Sequence, residues 1–144
     1  ARRVIALFDS GAGASVLNRS DAARVGVVAE GPGGTSAGIG PSLVDWSYGE
    51  VQSFAIGDET IKDTKIEVAD LYKGVRGSGP GSLLSQGVDR PSMLLGADFL
   101  RAHRTLVSHS QRKMYFTYVG GPVFVTGRTK PPAQPPSGDK PKGD

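Results

Sequence analysis

One carboxylate, two hydroxyls and two glycines lie close together near the start of the chain, in residues 9–15, DSGAGAS. This combination suits two kinds of chemistry. Closely spaced glycines can cradle a phosphate with their backbone N–H groups. A carboxylate held by such a turn can instead move protons in acid–base catalysis.

The phosphate-binding interpretation rests on Gly11 and Gly13, which match the first two glycines of a dinucleotide-binding fingerprint. Val16 occupies the third small position, where its side chain would keep the following helix away from the strand. The chain also reads mostly as strand and loop, whereas a dinucleotide-binding fold alternates strands with helices of about ten or more residues. Since a Gly-Lys-Ser/Thr sequence is missing too, nucleotide binding is disfavoured.

The second interpretation places the chemistry on Asp9. The apolar run from Val4 to Phe8 predicts a buried strand that ends at this carboxylate. Gly11 would let backbone N–H groups approach the carboxylate closely, and Ser10 could anchor the turn through its hydroxyl. An Asp-Ser-Gly tripeptide alone is more typical of an ordinary turn. Whether Asp9 is catalytic therefore has to be judged from the rest of the sequence.

The remaining sequence favours β structure. The chain has 21 glycines and 10 prolines in 144 residues, which indicates many turns. Apolar residues alternate along 44–56 and again along 66–68, while 105–107 and 114–119 predict a hairpin. Residues 31–42 predict a mobile loop or a hairpin tip, and 74–91 predict a flexible insertion, because both segments are rich in glycine.

Two short helices are expected. The first is capped by Ser20, carries Asp21 in its first turn and stops at Gly26. The second lies within 97–104, ADFLRAHR, and offers apolar side chains for burial.

One folded domain over 1–127 and a separate tail over 128–144 are predicted. The tail holds five of the ten prolines and little that could be buried, so it reads as a disordered or polyproline-like linker. Four basic and two acidic residues give the tail a charge of +2, which leaves +1 of the net +3 for the domain. A nucleic-acid partner needs a clustered basic face and is disfavoured.

Composition excludes several other classes. The chain has no cysteine, hence no disulfide or Cys-ligated metal, and its compartment stays undecided. No apolar run approaches the roughly 18 residues of a membrane span. His103 and His109 lack a carboxylate cluster at metal-ligand spacing and are interpreted as surface or hairpin residues. Ser36 matches Gly-x-Ser-x-Gly by letter, but it lacks the strand and helix that a nucleophile elbow needs.

Three motifs in order resemble the retropepsin-like aspartic proteases. Residues 8–12, FDSGA, resemble the active-site turn of that family. Residues 36–40, SAGIG, fall where the family has its glycine-rich flap tip, and 93–100, MLLGADFL, resemble its apolar-apolar-Gly strand and following helix. The resemblance spans 4–119 and is closest to the bacterial and ubiquitin-shuttle branches, with 110–118 similar to bacterial members in particular.

The resemblance implies an all-β fold, namely a closed or partly closed β-barrel with a flap hairpin and one short C-terminal helix. It implies an aspartic endopeptidase without a cofactor or metal, acting on a peptide or protein substrate. The residues it assigns are the catalytic Asp9, the supporting Ser10, Gly11 and Ala12, and the flap residues Gly38, Ile39 and Gly40. Trp46, just after the flap, is interpreted as a core or interface residue, with substrate contact as the alternative.

Peptide hydrolysis by carboxylates needs two of them sharing one proton. The chain offers one such turn, and Asp98 lies where the family uses an aspartate structurally. A second Asp9 from another copy would complete the pair, so a two-fold homodimer is the simplest assembly, and a pseudo-dimer with a related domain is the alternative. A non-catalytic peptide-binding module that keeps the fold is the rival function.

The sequence departs from the family pattern in two places. Ser10 stands where threonine is more frequent, which keeps the hydroxyl but loses a methyl that would pack at the dimer centre. Only eight residues precede Asp9 where the family usually has another strand, which favours an excised part of a longer protein. The resemblance favours a bacterial periplasmic or secreted location.

Overall fold

The computed structural model describes residues 2–37, 43–73 and 90–124 of the chain, and these residues are mostly β. The predicted fold class is therefore confirmed. The elements in chain order are β1 Ala6–Phe8, β2 Val16–Asn18, α1 Arg19–Val25, β3 Ala29–Ala37, β4 Leu43–Ile56, β5 Glu59–Ala69, β6 Met93–Leu95, α2 Ala97–Ala102, β7 His103–Ser108 and β8 Lys113–Tyr118.

Six of the strands form one sheet in the order β1-β6-β2-β5-β4-β3, and β7 pairs with β8 in a separate antiparallel sheet. Strand β1 runs parallel to β6, and β2 runs parallel to β5, while the other neighbours are antiparallel. The predicted barrel is not confirmed, because β1 and β3 lie at opposite edges and the described strands form an open sheet.

The central strands are buried on both faces, which explains their continuous apolar runs. Successive residues alternate between two clusters. One face of the sheet carries Leu17, Val68 and Met93 against Phe99 of α2. The other face carries the cluster of Val16, Val44, Ala69, Leu71 and Leu94. Each central strand thus contributes to a closed core on one face and to a second apolar surface on the other.

Strand β1 is shorter and more exposed than predicted. It begins at Ala6 rather than Val4, and Leu7 is 49% exposed. The prediction of a buried strand was wrong because β1 lies at the edge of the sheet, where only β6 pairs with it.

The first helix ends as predicted but begins differently. Gly26 follows it with a positive φ of 84°, a conformation that glycine adopts readily. Ser20 lies inside the helix, and Asn18 is at the cap position without a side-chain cap bond, so the prediction of a Ser20 cap was wrong.

Asp21 in the first turn of α1 ties this helix to the residue before β6. Burial alone would raise the pKa of Asp21, but hydrogen bonds from Arg24, Asn18 and Ser92 outweigh it and hold that pKa below its usual value. The Ser92 hydroxyl donates to Asp21 Oδ1 at 3.0 Å. The helix thereby supports the start of the strand on which the functional site depends.

The C-terminal helix and hairpin are also present, with a shift at their junction. Helix α2 ends at Ala102, and residues 103–104, which the sequence placed in the helical stretch, begin β7. His109 is exposed near the hairpin turn, whereas His103 is buried. The interpretation of His103 as a surface residue was therefore wrong, although it does belong to the hairpin.

His103 joins two parts of the fold. Its Nδ1 lies 2.7 Å from the carbonyl oxygen of Phe99, and its Nε2 lies 2.8 Å from Oε2 of Glu59 at the start of β5. The ring also stacks on Phe99 with 4.0 Å between centroids. Helix α2 is thereby connected to the turn between β4 and β5.

We expect His103→Ala to lower the free energy of unfolding by about 2–4 kcal/mol, because it removes a buried ring and two hydrogen bonds. Urea denaturation measures this difference. His109→Ala is the matched control and should change stability by less than about 0.5 kcal/mol. Equal stability of the two variants would contradict the role given to His103.

Candidate functional site

Asp9 directly follows β1, and backbone and side-chain hydrogen bonds shape its turn. The Asp9 N–H donates to the Leu95 carbonyl at 2.9 Å, which extends the β1–β6 pairing by one residue. The Gly11 N–H donates to Asp9 Oδ1 at 2.9 Å, and the Ala12 N–H donates to the Asp9 carbonyl at 3.2 Å. The carboxylate is half-buried and held at one oxygen, as the Gly11 hypothesis anticipated.

Gly11 is suited to this turn because its missing side chain leaves room beside the carboxylate. A β-carbon at Gly11 would lie 3.2 Å from Asp9 Oδ1. This spacing is tighter than most such contacts, so a larger residue would push the carboxylate aside.

Ser10 and Ser15, the two hydroxyls of the motif, differ in their surroundings. Ser10 is exposed, and its hydroxyl makes no hydrogen bond to the residues that the structure describes, so its anchoring role stays a prediction. Ser15 is buried, and its Oγ donates to Asp98 Oδ1 at 2.6 Å and accepts the Gly96 N–H at 2.9 Å. Ser15 is the anchor that sequence reasoning missed, although its hydroxyl belongs to the opening motif.

Asp98 is a structural partner of the turn, as the family resemblance implied. It is 2% exposed and accepts hydrogen bonds from the Ser15 N–H at 2.9 Å, the Ser15 hydroxyl and the Phe99 N–H at 2.8 Å. These bonds join the end of the Asp9 loop to the first turn of α2. Both oxygens of Asp98 are thus engaged away from solvent.

Gly96 allows the loop to lie directly on the strand that precedes α2. A β-carbon at Gly96 would come within 2.6 Å of the Ala14 carbonyl group and 2.8 Å of the Ala12 carbonyl oxygen. The Ala97 N–H donates to that Ala12 oxygen at 2.7 Å. The glycine of the Leu-Leu-Gly motif therefore has a steric role, since no side chain fits there.

A cleft of about 460 Å³ opens beside the Asp9 turn, on the sheet face that carries Val16 and Val44. Besides the turn, it is lined by residues from β2, β3, β4, β5, the segment after β5, and β6. They are Asp9, Gly11, Ala12, Gly13, Ala14, Val16, Ser36, Val44, Trp46, Glu67, Ala69, Leu71 and Leu94.

Trp46 forms part of the cleft wall and packs edge-on against Tyr48, with 5.2 Å between ring centroids. Its ring lies against Gly34 of β3, where a β-carbon would come within 2.7 Å of the indole. The indole N–H is buried and has no acceptor among the described residues. Trp46 packs against the apolar cluster of this face, in agreement with the core interpretation, and substrate contact stays a prediction.

The other candidates lie differently. Ser36 also lines the cleft, but it lies within β3 opposite Val44 and not at a strand-to-helix elbow. Gly38, Ile39 and Gly40 lie outside the described residues, so the flap tip stays a prediction. The strands that flank it pair from Ala29–Gly49 to Ala37–Leu43, with a register shift between Glu30 and Gly34.

The described part of the chain contains no group of three or more metal-binding side chains. None of the helices there is both long and apolar enough to cross a membrane.

A family model described as aspartyl protease matches residues 2–99, about two-thirds of the 144 residues. The matched range contains the Asp9 turn, the whole described lining of the cleft and the start of α2. No curated protein and no solved structure matches the chain.

Proposed function

The chain belongs to the aspartyl protease family, which is retropepsin-like, and on that premise we propose that Asp9 is the catalytic carboxylate of a peptide-hydrolysing site. The observation that carries the proposal is the placement of Asp9 at the end of β1, facing the cleft and bonded to the Gly11 N–H. Ser10, Gly11 and Ala12 are proposed to support the carboxylate from the same turn.

The hydrogen bond at Asp9 distinguishes the roles of its two carboxylate oxygens. Oδ1 accepts the Gly11 N–H, while Oδ2 has no protein donor among the described residues. Oδ2 is thus available to a water molecule. In the proposed reaction, one carboxylate takes a proton from this water, and a second, protonated carboxyl group donates to the oxygen of the scissile carbonyl.

The second carboxyl group has no good source within the described part of the chain. The carboxylate oxygens of Asp98 already accept hydrogen bonds from Ser15 and Phe99. Glu67 also lines the cleft, but its strand β5 lies three positions from β1 in the sheet. At about 4.8 Å per strand, this is roughly 14 Å of backbone separation, too far for two groups to share a proton.

We therefore propose that Asp9 of a second copy, or of a related domain, completes the pair. Two carboxylates about 3 Å apart cannot both ionise comfortably, so such a pair would hold one proton at acidic to neutral pH. Exposure of Ser10 is consistent with a partner that approaches this turn. A purely peptide-binding module is not favoured, because the family whose model matches the chain is described as aspartyl protease.

We expect specific peptidase activity to fall on dilution, because the active species would be a dimer that dissociates. Activity on a mixed peptide library should be measured across a wide concentration range, with sedimentation velocity giving the monomer fraction at each point. Activity should follow the dimer fraction. Constant specific activity in a solution shown to be monomeric would rule out the two-copy site.

A further inference from the structure

Glu67 is an acidic side chain beneath an otherwise mostly apolar cleft. It lies on β5, paired with Val16 of β2 on one side and Tyr48 of β4 on the other. Paired residues of neighbouring strands project from the same face, so Glu67 belongs to the cleft face. It is 2% exposed and lines the same cleft as Asp9.

The described cleft lining has a distinct charge pattern. It contains two carboxyl groups, those of Asp9 and Glu67, and no lysine, arginine or histidine, while most of its other members are apolar or glycine. A charge shielded from water is screened far less than one on the surface. A carboxylate at Glu67 would therefore act strongly on any charged group that enters.

Trp46 lines the same cleft, and the edge of its indole ring lies against Gly34 of β3. Its buried N–H has no acceptor among the described residues. The donor and the acidic group lie on neighbouring strands of one face, since Trp46 pairs with Ala69, two residues from Glu67.

We propose that Glu67 makes the cleft selective for peptides that place an arginine or lysine side chain in it. The long aliphatic stem of such a side chain suits the apolar lining formed by Val44, Leu71 and Leu94. The cationic head would reach towards Glu67, whereas an acidic side chain would be repelled by both carboxylates. This specificity rests on the proposed function in taking a peptide as the ligand.

Binding can be measured separately from cleavage by tryptophan fluorescence. Trp46 is the only tryptophan of the chain and lies in the cleft wall, so its signal reports on this cleft. The probes are octapeptides of alanine and valine in which one arginine is moved along the sequence, and the same peptides with citrulline in its place. Citrulline keeps the shape of arginine but is uncharged. Titration followed by tryptophan fluorescence should show about tenfold to hundredfold tighter binding of the best arginine peptide than of its citrulline twin.

Two variants then assign the preference to one residue. Glu67→Gln should bring the arginine and citrulline affinities within about twofold of each other. Glu50→Gln makes the same change of charge on β4 at a site whose side chain is 76% exposed, and it should leave the preference intact. Circular dichroism confirms that both variants are folded.

Equal binding of arginine and citrulline peptides by the unmodified protein, or no response to either, would overturn the specificity proposal without any variant. A preference that survives in folded Glu67→Gln would overturn it as well. Cleavage of the library by the protein is scored separately, so arginine selectivity without hydrolysis would count against the proposed function alone.

Discussion

Replacing Asp9 by asparagine is expected to lower kcat/KM for peptide hydrolysis by roughly two to four orders of magnitude while leaving the fold intact. Asparagine keeps the shape of the side chain, and its carbonyl oxygen can still accept the Gly11 N–H that now binds Oδ1. What disappears is the second oxygen with its ability to take and return a proton. Steady-state kinetics and urea denaturation of the same preparation separate the two effects.

The matched control for this change is Asp58→Asn, an exposed position in the turn between β4 and β5. It should retain full activity. Hydrolysis by the Asp9→Asn protein at the rate of the unmodified protein would end the catalytic assignment.

Mixing Asp9→Asn chains with unmodified chains also tests whether two copies of the chain share one site. An excess of Asp9→Asn chains should suppress the activity of unmodified chains, because mixed dimers would contain one working carboxylate.

The second large effect is expected at Asp98, where substitution by alanine should lower the free energy of unfolding by about 3–5 kcal/mol. Each charge-assisted hydrogen bond is worth about 1.5–3 kcal/mol, and losses within one network do not add fully. Alanine would also leave the Ser15 and Phe99 N–H groups buried without this acceptor. Urea denaturation at neutral pH gives the difference directly.

Ser15→Ala and the double variant complete a cycle for this contact. Since the Ser15 hydroxyl donates to Asp98, the sum of the losses in the two single variants should exceed the loss in the double variant. An Asp98→Ala protein that is as stable as the unmodified chain but inactive would contradict the structural role. Asp98 would then become the candidate for the second carboxylate.

The local features of the site could be predicted from sequence because they depend on neighbouring residues. The glycine beside Asp9 and the stop at Gly26 are determined by backbone conformation over a few positions. The partnership of Ser15 with Asp98 joins residues 83 positions apart, which no local pattern encodes. The place of Glu67 in the cleft could not be predicted for the same reason, since it follows from the pairing of β5 with β2 and β4.

Burial was the weaker part of the sequence-based prediction. An apolar run indicates a strand but not its place in the sheet, so the edge position of β1 and the exposure of Leu7 could not be inferred. His103 was misjudged because its burial depends on Glu59, 44 residues earlier in the chain. The flap residues, the boundary near residue 127, the bacterial branch and the location remain predictions.

The bonds that hold the Asp9 turn have a consequence for the order in which the molecule folds. Asp9 is tied to Leu95, and Ser15 to Asp98, so the N-terminal turn takes its shape only after a loop of more than 80 residues has closed. Contacts of such high sequence separation form late and slowly. Until residues 95–98 have left the ribosome, the turn would lack these hydrogen-bond partners, so the proposed catalytic carboxylate would be positioned only after β6 and the start of α2 have been made.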